Sequence, residues 1–171
     1  IPILIKLEAI ADFPQNKAYA QSNLMKAYYE TEQFDKAVSY ANKVLSDAGT
    51  DSAVRADAEV IIARSSFKNG NMAAAKSAYA NVLKSASGAI AAEATFYKAY
   101  FENEEGKHQQ AINTVQGLSK NYGSYKLWSA KGLVVMAKSY DATNQTLNAV
   151  TLLQGVIDNF SQYPDVVATA T

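Results

Sequence analysis

The chain has no cysteine, which removes thiolate nucleophiles, disulfides and Cys-based metal sites together and leaves the redox compartment open. Histidine occurs once, so a His-centred metal or acid–base site lacks partners of its own kind. Proline occurs three times and glycine eight times, and strand-favouring runs of Val, Ile and Thr are few, so little interrupts a helix. Neither sign of charge dominates: Lys plus Arg number 16 and Asp plus Glu number 16. Overall charge therefore draws the chain toward neither nucleic acid nor an anionic membrane, and any electrostatic recognition is local. The longest apolar stretches, around Leu133 to Ala137 and Val150 to Ile157, are too short and too interrupted to span a bilayer.

What remains is a chain of 171 residues, 49% hydrophobic and rich in alanine. At this length about two-thirds of the surface is buried on folding, so a core forms without disulfide or metal staples. The opening Ile1-Pro2-Ile3 has no basic leader or small-residue cleavage site and reads as a cut inside a longer protein.

A walk along the sequence finds one pattern four times. A small residue early in an amphipathic segment recurs as Ala37, Ala75, Ala111 and Ala149, at steps of 38, 36 and 38 residues. Nine residues before Ala37 and Ala149 stand Tyr28 and Tyr140, and Ala63, Ala99 and Ala137 hold a common small-residue position. Met25 fills that position in the first copy and is expected to loosen the packing there. Phe34, Ala37, Val38, Ala41, Val44 and Leu45 paint one apolar stripe at three- and four-residue spacing, as do Ala149, Val150, Leu153, Val156, Ile157 and Phe160. Ala20, Leu24, Ala27 and Tyr28, and Leu133, Met136, Ala137 and Tyr140, do the same in the helices before them.

Asn69-Gly70-Asn71 and Glu105-Gly106-Lys107 supply residues that accept a left-handed backbone and stop a helix, with Asn144 in that place in the fourth copy. Between copies, breakers occur at Asp12-Phe13-Pro14, Ala48-Gly49-Thr50-Asp51-Ser52, Ser87-Gly88, Tyr122-Gly123-Ser124 and Tyr163-Pro164-Asp165, several offering Ser or Asp as N-caps.

A helix-turn-helix unit repeating at this length, with Tyr and Ala at fixed places, resembles the tetratricopeptide repeat (TPR). The expected fold is all-α: a right-handed αα superhelix of antiparallel helix pairs in one solenoid domain. Residues 15–50, 51–87, 88–123 and 124–162 are the four copies, residues 1–14 the end of a preceding copy and 163–171 the start of a further one. Two uncapped ends are expected to associate.

Leu127-Trp128-Ser129-Ala130-Lys131-Gly132 and Thr151 to Phe160 look like the terminal repeats of large bacterial cell-envelope TPR proteins. That resemblance implies a bacterial source, a periplasmic or outer-membrane-associated address, with the cytoplasm as the alternative, and a role in organising protein complexes. The consensus Trp is absent from its place in all four copies.

In TPR arrays the first helix of each pair lines the groove. Projection gives Lys26, Arg64, Tyr100 and Lys138 in one column and Tyr29, Phe67, Asn103 and Asp141 in the next. Ser22, Val60, Phe96 and Val134 form a third, and Tyr19, Asp57, Glu93 and Lys131 a fourth. Lys26, Arg64 and Lys138, interleaved with Tyr29, Phe67, Phe96 and Tyr100, are the candidate surface for an extended segment carrying carboxylates. The rival reading is an ordinary solvated face on a structural spacer or self-assembly segment.

Enzyme chemistry finds no support. His108 lies four residues after Glu104, a spacing that can put two ligands on one helical face, but Gly106 falls between them at the expected turn. Glu102, Glu104 and Glu105 lack the alternating oxygen ligands of a calcium loop. No phosphate cradle follows a strand, so no cofactor is expected, and the partner is a protein or peptide rather than nucleic acid or membrane. The sequons Asn144-Gln145-Thr146 and Asn159-Phe160-Ser161 are of a kind that chance supplies.

Overall fold

In the computed structural model all 171 residues are described, and they form ten helices and no strand. These are α1 (Pro2–Ile10), α2 (Pro14–Glu30), α3 (Phe34–Ser46), α4 (Ser52–Lys68), α5 (Met72–Val82), α6 (Gly88–Glu104), α7 (His108–Tyr122), α8 (Lys126–Ala142), α9 (Thr146–Asn159) and α10 (Pro164–Ala168). The all-α class is as the composition and periodicity require. The chain divides into two compact units, Ile1–Ser85 and Ala86–Thr171.

Within each unit every helix packs on the next, as short connections between long amphipathic helices dictate. In the first unit α2 also meets α4, and in the second α6 also meets α8 and α10 meets α8. Within each unit the first helices of neighbouring pairs therefore lie side by side, with second helices packed against them.

The turn inside each pair has one recipe. Gly70 (φ 74°), Gly106 (φ 73°) and Asn144 (φ 59°) take the left-handed backbone expected of them, and Glu32 does so as well (φ 57°). These four residues recur at steps of 38, 36 and 38, each five before the alanine that opens the second helix. Those alanines, Ala37, Ala75, Ala111 and Ala149, are 0 to 4% exposed, so the turn delivers a side chain small enough for close helix approach.

Each unit has its own apolar interior. In the first, Leu24, Met25 and Tyr28 of α2 pack with Ala37, Ala41 and Val44 of α3 and Ala58 and Ile61 of α4. Met25 does not leave a loose joint: it is fully buried, its flexible thioether taking up the room an alanine would leave. In the second, Phe96, Ile112, Val115, Leu118, Val135 and Met136 join α6, α7 and α8. A Cβ on Gly132 would stand 2.9 Å from Leu118 Cδ2, so α8 lies with its backbone against α7.

Some expectations are corrected. Val150 is exposed rather than part of the apolar stripe of α9, and Tyr140 is only half-buried where Tyr28 and Tyr79 are core. Of the anticipated caps Asp51 acts, accepting from the backbone N–H groups of Ala53 (2.9 Å) and Val54 (3.0 Å), whereas the Ser87 side chain makes no capping bond. Asn71 caps α5 instead, accepting from Ala74 N–H at 3.1 Å. No helix is long and apolar enough to cross a membrane.

Candidate functional site

In the first unit the candidate surface lies on α2 and α4. Lys26 Nζ stands 2.6 Å from Asp57 Oδ2, joining two of the projected columns across the helix pair, both side chains about half exposed. The ammonium therefore already has a carboxylate partner, in a solvated pair of small net strength. Tyr29 is half-buried with its ring 6.0 Å from that of Phe34, and Arg64 and Phe67 are half-buried on α4.

A cleft of about 310 Å³ opens between α2 and the α3–α4 connection. Its walls include Tyr19 and Ser22, both from the projected columns, with Val44, Asp47, Thr50 and Val54 opposite. Tyr19 is 60% exposed, an aromatic ring held at a cleft mouth. Asp47 and Asp51 each commit one oxygen to local backbone, Asp47 to the Gly49 N–H at 2.9 Å and Asp51 to its helix cap.

In the second unit the surface lies on α6 and α8. Phe96 is buried rather than displayed, with ring centroids of Tyr97 at 5.0 Å and Trp128 at 5.5 Å. Lys131 Nζ stands 5.0 Å from the Trp128 ring centre and 5.9 Å from that of Phe96, within cation–π range. Tyr100 is half-buried, and burial first, then the Glu104 carboxylate, raises its phenol above the ordinary value. Lys138 is exposed to solvent. Trp128 and Lys131 are three residues apart on α8, so helical spacing alone stacks them, whereas the contact of Trp128 with Phe96 requires the α6–α8 packing.

Asn103, projected toward the ligand, instead ties three helices together. Its Oδ1 accepts from Ser139 Oγ on α8 at 2.8 Å and lies 3.1 Å from His108 Nδ1 on α7. Since Oδ1 only accepts, the geometry assigns the proton to Nδ1. Glu102 accepts from Thr114 Oγ1 at 2.6 Å, and Lys107 donates to Glu105 at 2.8 Å. No group of three or more His, Cys, Asp or Glu side chains gathers where it could hold a metal ion. Asn159 of the second sequon donates to the Gly155 carbonyl at 2.9 Å.

A second network joins α1 to α2 and α3. Glu8 on α1 accepts from Gln21 Nε2 on α2 (3.0 Å) and from Tyr40 Oη (2.8 Å) and Lys43 Nζ (2.9 Å) on α3. Burial pushes the Glu8 carboxyl up, but its three donors and the Lys43 charge outweigh it and hold the carboxyl below the ordinary value. Tyr40 is pushed up to about 12 by burial and by the carboxylate it faces. Partners 13 to 35 residues apart are beyond any helical spacing, so no local signal marks them.

Compared with known proteins, the chain matches no family model and no curated protein sequence.

Proposed function

We propose that this chain is a TPR-like protein-interaction scaffold, whose first helices present a preformed surface to an extended segment of another protein. Its mechanism is positional: helix packing fixes the backbone that carries the surface before binding, so little ordering of the chain is left to oppose affinity. The observation that carries the reading is the cleft between α2 and the α3–α4 connection, where Tyr19 and Ser22, two residues the repeat projects onto the ligand side, line the same recess. The recurrence of the left-handed turn and the buried alanine at equal steps supports a solenoid of the TPR type.

Lys26 engages a ligand carboxylate only by sharing or releasing Asp57, so the ring of Tyr19 carries more of the first unit's recognition than its cation. Lys131 and Lys138 are the cations that the projected columns place in the second unit. The cell-envelope resemblance makes a periplasmic or outer-membrane complex the setting we propose.

Affinity capture from a bacterial envelope extract tests this, using the wild-type chain beside Tyr19→Ala and Lys138→Glu. We expect a specific protein captured by the wild type and at least tenfold depleted by one or both variants. Equal capture by all three chains overturns the proposal.

A further inference from the structure

A second recess, of about 320 Å³, opens in the first unit where α4 lies between α3 and α5 and packs on both. Leu45 of α3, Glu59 and Ile62 of α4, Ala78 and Asn81 of α5, and Lys84 just beyond α5 line it. None of them belongs to the four projected columns. Leu45 and Ile62 also pack against the first unit's core, so the inner wall is apolar. Asn81 and Lys84 are exposed, so the recess opens to solvent.

One pair earlier the same place is filled. Ala78 stands 38 residues after Tyr40 and Glu59 stands 38 after Gln21, the step that also separates Ala75 from Ala37. The Tyr40 ring packs against the core there, with the Tyr28 ring centre at 5.4 Å and Lys43 Nζ 4.0 Å from its own centre. Its hydroxyl donates to Glu8. Across the four copies this position reads Tyr40, Ala78, Thr114 and Leu152, so Ala78 is the smallest side chain in the series. The recess is the room that a ring takes one pair earlier.

Glu59 adds an acceptor without a donor. It is half-buried, and its carboxylate has no hydrogen-bond or ion-pair partner, whereas Gln21 in the equivalent place is bonded to Glu8. Lys84 does not answer it, donating instead to Asn81 Oδ1 at 2.8 Å. A partly desolvated carboxylate is stabilised by any donor that reaches it. With a carboxylate and an ammonium on one recess, a ligand of either charge meets a like charge, and a neutral hydroxyl does not. An apolar wall, room for a ring and an acceptor for a neutral donor together describe a phenol.

We propose that this recess binds a tyrosine side chain presented by another protein. The ring lies on Leu45, Ile62 and Ala78, the phenol hydroxyl donates to Glu59, and Lys84 stands at the rim as Lys43 stands over Tyr40. This site is independent of the first-helix surface, and loss of that surface leaves it intact.

Titration with N-acetyl-tyrosinamide, followed by amide chemical shifts of the whole chain, tests it. The shifts are expected to concentrate around Leu45, Glu59, Ile62 and Ala78, with a Kd of about 1–10 mM for one side chain. N-acetyl-phenylalaninamide, which lacks the donor, and N-acetyl-argininamide, which brings a cation, are each expected to bind about fivefold more weakly or less. Glu59→Gln, which leaves a neutral acceptor, is expected to remove most of the preference for tyrosine over phenylalanine. Ala78→Tyr fills the room from within and is expected to abolish binding, with a melting temperature at or above that of the wild type showing that the variant folds. No localised shift at about 50 mM ligand overturns the proposal, as does equal binding of the phenylalanine or arginine amide. Binding unchanged by both Glu59→Gln and Ala78→Tyr does so too. So does p-cresol binding more than about tenfold tighter than the tyrosine amide, since that assigns the recess to a free phenol.

Discussion

Tyr40 on α3 donates its hydroxyl hydrogen to Glu8 Oε2 on α1 at 2.8 Å, across 32 residues of sequence. With Gln21 and Lys43 on the same carboxylate, that bond pins the first helix to the two that follow. Glu8→Gln removes the charge that all three donors address. It is expected to cost about 1–2 kcal/mol, read by chemical denaturation, and to raise amide exchange in α1 before the rest of the unit.

The same network sets two pH limits. Because the folded chain holds the Glu8 carboxyl below its unfolded value, its stabilisation is complete above the unfolded pKa of about 4.3 and is lost as pH falls through the folded value. Tyr40 acts at the other end: raised to about 12, it contributes fully below the unfolded pKa of about 10 and loses that contribution between there and 12. Thermal melts at stepped pH are expected to show a shallower acid slope in Glu8→Gln and a shallower slope above pH 10 in Tyr40→Phe. Slopes equal to wild type would show that the bonds do not persist in solution.

Glu32 occupies a backbone position that its three counterparts fill with Gly or Asn. A left-handed residue with a Cβ costs about 1–2 kcal/mol, so Glu32→Gly is expected to stabilise by up to about 1 kcal/mol after the extra unfolded-state freedom of glycine. Gly70→Ala and Gly106→Ala are expected to destabilise by about 1–2 kcal/mol. A Cβ meets nothing within 4 Å at either site, so the effect isolates backbone conformation. Denaturation midpoints moving in the same direction for all three would contradict the shared turn.

Asn103 and Ser139 offer a test of the second unit. Ser139 is fully buried, and its hydroxyl finds its acceptor on Asn103 Oδ1. Asn103→Ala strands that hydroxyl and is expected to cost about 1–3 kcal/mol, more than Ser139→Ala, because Asn103 is only half-buried and can turn to water. A double-mutant cycle is expected to show a coupling of about 1 kcal/mol, and additive losses would refute the link.

Much of the fold was legible because it rests on local periodicity. Ala37, Ala75, Ala111 and Ala149 mark where second helices begin, and Gly70, Gly106 and Asn144 mark the turns before them. Glu32 was illegible, since nothing in glutamate advertises a left-handed backbone; only its place in the repeat does. Val150 was misread because an apolar period says that a face can be covered, not that a neighbour reaches it. The candidate surface was legible as columns but not as chemistry. The pairing of Lys26 with Asp57, the burial of Phe96 and the diversion of Asn103 to Ser139 all depend on which helix lies alongside. Periodicity along one helix carries no such information.

Site-specific photo-crosslinking in living cells tests the scaffold reading most directly, with a benzophenone side chain placed at Tyr19 or Lys138 on first helices and at the exposed Gln116 on α7 as the comparison. Crosslinks to one and the same protein are expected from positions 19 and 138, with little or none from position 116. Crosslinks concentrated at position 116, or equal at all three, would contradict it.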